Sequence, residues 1–105
     1  MTDLDLIIHE TARHDVDGHT EYLDDQDPDM AERFHSDLAH VFERLTTFPA
    51  FGQLWPSPNP AHRDLRRAVL PTLPFSVFYR PTRTTIEVVR VLHHAQDIPP
   101  LLDEM

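Results

Sequence analysis

Any chemistry in this chain has to come from histidine, arginine, carboxylates and hydroxyls, because the sequence holds eight His and nine Arg but neither Cys nor Lys. The absence of cysteine removes thiolate nucleophiles, thiolate metal sites and disulfides together, and it suits a reducing cytosol. The histidines invite a metal reading, but their spacing opposes it. His14 and His19, like His35 and His40, are five residues apart, which is about 140° around a helix, whereas a helical pair sharing one ion sits about four apart. His93 and His94 are adjacent on a β-rich run and should point to opposite faces. Neither a metal nor a cofactor is expected. With two glycines in the whole chain there is no phosphate-cradling loop, and no serine stands in a Gly-x-Ser-x-Gly elbow. What remains is a set of arginines, Arg66, Arg67, Arg80, Arg83 and Arg90, whose planar forks suit carboxylates. They either meet an anionic partner or pair with acidic helices of the same molecule.

The elements that must position these side chains are legible from periodicity. Residues 4 to 9 have the apolar content of a short strand. Ala12, Val16, His19 and Leu23 then mark one stripe of a helix over about residues 11 to 24. Asp27 can cap a second helix with Pro28 at its first position, where the missing N–H costs nothing. Ala31, Phe34, Leu38, Val41, Leu45 and Phe48 recur at spacings of three and four, and Pro49 ends the pattern. Two helices with a short turn make an antiparallel hairpin. Residues 49 to 63, rich in proline, read as an irregular connection in which Phe51, Leu54 and Trp55 are available as anchors. Residues 65 to 70, 75 to 80 and 85 to 93 are β-rich runs joined by tight turns, an antiparallel meander. Phe75, Val77 and Tyr79 share one face of the middle run, and Ser76, Phe78 and Arg80 share the other. One face must take the hairpin; the other needs cover from the tail, the Trp55 loop or a partner. The expected fold class is therefore α+β, in the order β-α-α-β-β-β, with the first strand beside the last and the hairpin packed on a four-stranded, mainly antiparallel sheet.

At 105 residues there is room for a single domain, 1–105. No apolar run is long enough for a membrane span and the N-terminus lacks a signal-like core, so no membrane partner and a cytoplasmic location are expected. The net charge of −9 is unevenly placed. Residues 1 to 60 carry three Arg against nine Asp and four Glu, residues 61 to 94 carry six Arg against only Asp64 and Glu87, and Asp97, Asp103 and Glu104 follow. Such a molecule has two electrostatic faces. Phosphate contacts provide most of the affinity for nucleic acid, so an acidic whole argues for a protein target and against direct nucleic-acid binding.

The order of elements, and several patterns along it, resemble the RelE/ParE toxin family of type II toxin–antitoxin systems. The matching pieces are Ala31-Glu32-Arg33-Phe34, Leu45-Thr46-Thr47-Phe48-Pro49, Arg66-Arg67, Leu73-Pro74-Phe75-Ser76-Val77-Phe78-Tyr79 and Val88-Val89-Arg90-Val91-Leu92-His93. The ending from Val91 to Asp97 looks most like the ParE branch. That resemblance implies a growth-arresting toxin, of the kind that stabilises plasmids, which inhibits DNA gyrase without being an enzyme. It also implies a cognate antitoxin that lays a helix or strand across the toxin, here a ParD-like one with a helical C-terminal segment. The alternative the family offers is a RelE-like endoribonuclease acting on messenger RNA in the ribosome.

Such nucleases gather cations and a tyrosine on the sheet, because scission needs the phosphate charge stabilised and a proton moved. Here the resemblance leaves Arg66 or Arg67, Tyr79, and His93 or His94. Ala68 stands where a second basic residue is usual and Ser76 where an arginine would follow the aromatic. Pro99 or Pro100 falls near the expected terminal tyrosine. Tyr79 and His93 read first as packing residues. For contacts with target or antitoxin the candidates are Arg67, Arg80, Arg83, Arg90, Leu101 and Leu102. The tail from Ile98 onward is expected to serve activity more than folding, and the toxin without its partner to be poorly soluble.

Overall fold

A computed structural model of the chain describes residues 3–104. The order is β1 (Asp5–Ile8), α1 (Glu10–Gln26), α2 (Pro28–Thr47), β2 (Gln53–Leu54), a 3₁₀ turn (Pro60–His62), β3 (Arg66–Val69), β4 (Phe75–Pro81), β5 (Thr85–His93) and α3 (Ile98–Asp103). The helical hairpin forms where the spacing predicts it. The Asp27 side chain accepts from the Asp29 N–H at 3.0 Å and Pro28 opens α2, so one orphan donor of the first turn is satisfied. Of the expected α2 stripe, Ala31, Phe34, Leu38, Val41 and Leu45 are buried, while Phe48 lies beyond the last turn and is exposed.

The sheet has five strands in the order β1-β5-β4-β3-β2. β1 runs parallel to β5 and every other pairing is antiparallel. The expectation of four strands is corrected by β2, a two-residue strand inside the proline-rich connection. It is too short to show a period, and only its pairing with Arg66 and Arg67 reveals it. The hairpin covers one face, where Phe34, Leu38, Leu45, Phe75, Val77, Tyr79, Val88 and Val91 form the main core. The opposite face is covered by the tail and the Trp55 loop: Leu65, Phe78, Val89 and Leu92 pack with Ile98 and Leu102, with Trp55 and Leu101 at the margin. The tail is therefore one of the covers the sequence allowed for this face, and it has a structural role beside the one in activity that was expected of it. Leu102 is fully buried, because α3 is the cover that the second apolar face requires.

β5 outruns β1, which leaves the edge of its last residues open, and α1 closes that edge with side chains. The Asp15 carboxylate accepts from the Val91 N–H at 3.0 Å, and the His19 Nε2–H donates to the Val91 carbonyl at 2.8 Å. Asp15 also receives the Arg90 fork, from Nε at 2.7 Å and Nη2 at 2.9 Å. A strand edge that would otherwise offer bare backbone groups is thus satisfied inside the fold.

Candidate functional site

The candidate side chains fall into two groups on either side of β3 and β4. Tyr79 is fully buried against the hairpin. Its hydroxyl donates to the Pro49 carbonyl at 2.8 Å and accepts from the Gly52 N–H at 2.8 Å. Burial pushes the phenol pKa above its usual 10.0, opposed by the Gly52 hydrogen bond and by the charge of Arg66. Arg66 is itself engaged, donating from Nη1 to the Gly52 carbonyl at 2.7 Å. Gly52 is required for this knot. A Cβ there would stand 2.6 Å from the Arg67 carbonyl oxygen and 2.9 Å from the Tyr79 ring. Tyr79 and Arg66 therefore pin the connection after α2 to the sheet.

On the other face the structure brings together Trp55, Arg67, Ser76 and His94. The Arg67 guanidinium lies 5.6 Å from the Trp55 ring centroid, and its Nε–H donates to Ser76 Oγ at 2.8 Å. Ser76 Oγ is 2.8 Å from His94 Nε2. The serine oxygen accepts from Arg67 and keeps a second lone pair and its own proton, so the tautomer of the imidazole decides which partner donates in the contact with His94. The His94 pKa is lowered from 6.5, first by burial and then by the charges of Arg67 and His93, with a hydrogen bond to the Phe75 backbone opposing. Ser76 itself is fully buried. The chain Arg67, Ser76, His94 is a fixed polar contact with one cation at its outer end.

His93 does not join it. Its ring meets Phe75 edge-on at 4.8 Å, its Nδ1 accepts from the Ala95 N–H at 2.8 Å, and its N–H donates to Gln96 Oε1 at 2.7 Å. His93 thus shapes the turn that ends β5, on the face opposite to His94, as adjacent strand positions require. Arg80 donates to the Ala61 carbonyl at 3.1 Å, and Arg83 is exposed in the turn between β4 and β5. Arg90 and Leu102, both expected among the contact residues, are buried. Arg90 is only 8% exposed, held by Asp15 and by the Leu101 carbonyl, and Leu102 is core. Leu101 is partly buried beside them. Neither Arg90 nor Leu102 can meet a partner without local opening. The sequence allowed Arg90 a partner on an acidic helix without naming Asp15, and it gave no reading of His62 with Leu102. The buried His62 lies with Nε2 3.2 Å from the Leu102 carbonyl and Nδ1 3.1 Å from Ser57 Oγ, latching α3 to the loop. An arginine inside the apolar run from Val88 to Leu92 was the available signal for the first. The second has none, because it joins a loop to the tail.

Among the described residues, no group of three or more His, Asp or Glu side chains is arranged to hold a metal ion, and no helix is long and apolar enough to cross a membrane. Residues 6–98 match the family model described as ParE toxin of type II toxin-antitoxin system, parDE. The chain belongs to the ParE toxin family. It is similar to toxin ParE1 of two Mycobacterium tuberculosis strains, 34% identical over 71 residues, which is 67% of this chain and 67% of each relative. Its fold is that of a chain in the chromosomal ParDE TA system from P. aeruginosa, with a TM-score of 0.69 at 22% identity, covering 86% of this chain and 95% of that one. A chain of the toxin–antitoxin complex RelBE2 from Mycobacterium tuberculosis shares it too, with a TM-score of 0.60 at 18% identity, covering 91% and 97%. This protein is accordingly a ParE-type toxin of a toxin–antitoxin system, with the mixed α and β architecture of ParE and RelE toxins.

Proposed function

We propose that this toxin acts in the cytoplasm as a non-enzymatic inhibitor of DNA gyrase and is neutralised by a ParD-like antitoxin. The observation that carries the reading is the employment of the groups a nuclease would need. Arg66 and the Tyr79 hydroxyl are committed to the 49–52 connection, and His93 is built into a turn. Ala68 and Ser76 occupy the positions where further cations would be expected. A developing phosphorane charge would find Arg67 alone beside a neutral imidazole, and loss of one such donor typically costs about 10²–10³ in rate. With a net charge of −9 the molecule is also a poor phosphate binder. Gyrase would instead meet protein contacts, for which Arg67, Arg80, Arg83 and the margin of α3 at Leu101 are placed near the surface.

The antitoxin would lie in the groove of about 360 Å³ formed by β1, α1 and α2, lined by Ile8, Val16, Leu38, Ala39 and Phe42. A disordered segment that folds as an amphipathic helix suits such a groove. Expression without the antitoxin should arrest growth with filamentation and DNA damage. Coexpression with a short protein encoded beside it should restore growth and yield a complex of the two. A purified chain that is monomeric, soluble and indifferent to that neighbour would overturn the antitoxin part of the reading. Arrest through site-specific loss of messenger RNA would overturn the gyrase part in favour of the endoribonuclease.

A further inference from the structure

The loop after β2 and the last helix face each other across a cavity of about 550 Å³, a size that suits a small molecule. Trp55, Pro56 and Pro58 form its loop side, and Pro99 and Asp103 of α3 form the other. The buried His62 joins the two sides. Its ring nitrogens are both engaged, Nε2 with the Leu102 carbonyl at 3.2 Å and Nδ1 with Ser57 Oγ at 3.1 Å. The prolines contribute carbonyls but no backbone N–H. Asn59, also on the wall, donates its backbone N–H to Ser57 Oγ at 3.1 Å, and its Oδ1 accepts from the Ala61 N–H at 2.9 Å. No arginine lines the cavity. The acidic group on its wall is Asp103, whose side chain is 60% exposed and has within 4.0 Å, among the described residues, only His62 Nδ1 at 3.9 Å as a basic neighbour.

We propose that this cavity binds a small organic cation, an ammonium or guanidinium head on a short alkyl stem, with the head at Asp103 and the stem over Trp55 and the prolines. Trp55 is held edge-on to Phe78 at 5.2 Å and supplies a fixed aromatic wall. The Arg67 guanidinium, 5.6 Å from the indole centroid, shows that this ring takes a cation. Arg67 is tethered to Ser76 and lies outside the cavity walls, so a second positive charge is placed best away from it, at the Asp103 end. An anion would meet that carboxylate with no arginine to offset it. The net charge of −9 raises the local concentration of cations around the whole molecule. An occupant bridges the loop and α3, the two covers of the second apolar face, and so braces the tail against opening. The site stands apart from the groove between the helices and does not depend on the identity of the toxin's target.

The test titrates the full chain with N-butylguanidinium and with N-butylurea, its neutral isostere, following chemical shifts and the melting temperature. N-butylguanidinium should shift the Trp55 indole N–H and the amides of residues 57, 59 and 101–103, and raise the melting temperature as a ligand of the native state does. N-butylurea should bind about threefold to fivefold more weakly, the share that a solvent-screened ion pair supplies. Asp103→Asn, a change at an exposed position, should remove that difference, whereas Asp25→Asn at the exposed end of α1 should leave it intact. Equal binding of the two probes to the unaltered chain, a difference that persists in Asp103→Asn, or shifts concentrated on α1 and α2 would overturn the proposal. A blocked glycine–arginine–glycine peptide that binds about tenfold or more tightly than N-butylguanidinium would overturn the small-molecule assignment and give the cavity to an arginine of a partner protein.

Discussion

Removing the Asp15 carboxylate should unfold this protein more readily than any other single change on α1. Asp15 accepts three hydrogen bonds, two from the Arg90 guanidinium and one from the Val91 N–H, and both ionic side chains are about nine-tenths buried. Deleting one partner of such a pair leaves an uncompensated charge in the interior, which typically costs about 3–5 kcal/mol. Asp15→Ala also strands the Val91 N–H, a buried donor worth about 1–3 kcal/mol when unsatisfied. The two costs overlap, so we take about 3–5 kcal/mol as the expected loss. That is a large share of the roughly 5–15 kcal/mol that stabilises a domain, and it lowers the melting temperature by about 4 °C or more per kcal/mol. The assay is urea unfolding of Asp15→Ala, Arg90→Met and the double variant. The double variant should be less destabilised than the sum of the singles by about 2 kcal/mol or more, because an apolar pair of similar volume no longer isolates a charge. A loss below about 1 kcal/mol for Asp15→Ala, or simple additivity, would refute the claim that Asp15 neutralises Arg90 and seals the β5 edge.

The remaining expectations follow from the same contacts. Tyr79→Phe should cost about 1–3 kcal/mol in urea unfolding, since the Pro49 carbonyl and the Gly52 N–H lose their shared partner. Gly52→Ala should cost a similar amount, about 1–3 kcal/mol, because the added methyl meets the Arg67 carbonyl and the backbone must move. Removal of residues 98–105 should abolish cooperative unfolding, as it uncovers Leu65, Phe78, Val89 and Leu92; a sharp transition in the truncated chain would show that α3 is an accessory. Stability should fall as pH drops below 6.5. The folded pKa values of His19 and His94 lie below that unfolded value, chiefly through burial. The unfolded chain therefore binds more protons between the two, and the loss runs from about pH 6.5 down to the folded values. His19→Gln should flatten that slope in a pH series of melting temperatures.

What the sequence made legible was whatever carries a long period or a local signature. The α2 stripe, the Asp27-Pro28 start and the alternating run Phe75–Tyr79 each repeat or mark a boundary, and each stands in the structure where it was expected. The two-residue β2 repeats nothing. The break in register between Phe78 and Tyr79 leaves Val89 without a partner on β4, so Val88 and Val91 can both face the hairpin. A strict period of two would have separated them. The tail carries no such signal because Leu101 and Leu102 follow Pro99-Pro100 and lie beyond the last strand, yet proline at the first turn of a helix is well tolerated and starts α3. Among the candidate side chains, residue type suggested chemistry but only partners decide it. Arg90 and Tyr79 each had a structural alternative in a linear reading, but their partners, Asp15 for the one and Pro49 with Gly52 for the other, are far apart in the chain and only the fold names them.

The reading of this ParE-type toxin as a non-enzymatic poison is tested most directly by adding the purified chain, in parallel, to DNA gyrase with relaxed plasmid and to ribosomes engaged on a defined message. The account predicts loss of supercoiling that the cognate antitoxin relieves, intact message, and inhibition that survives His93→Gln. Cleavage of the message at defined sites, abolished by His93→Gln or Tyr79→Phe in a protein that remains folded, together with unimpaired supercoiling, would contradict it.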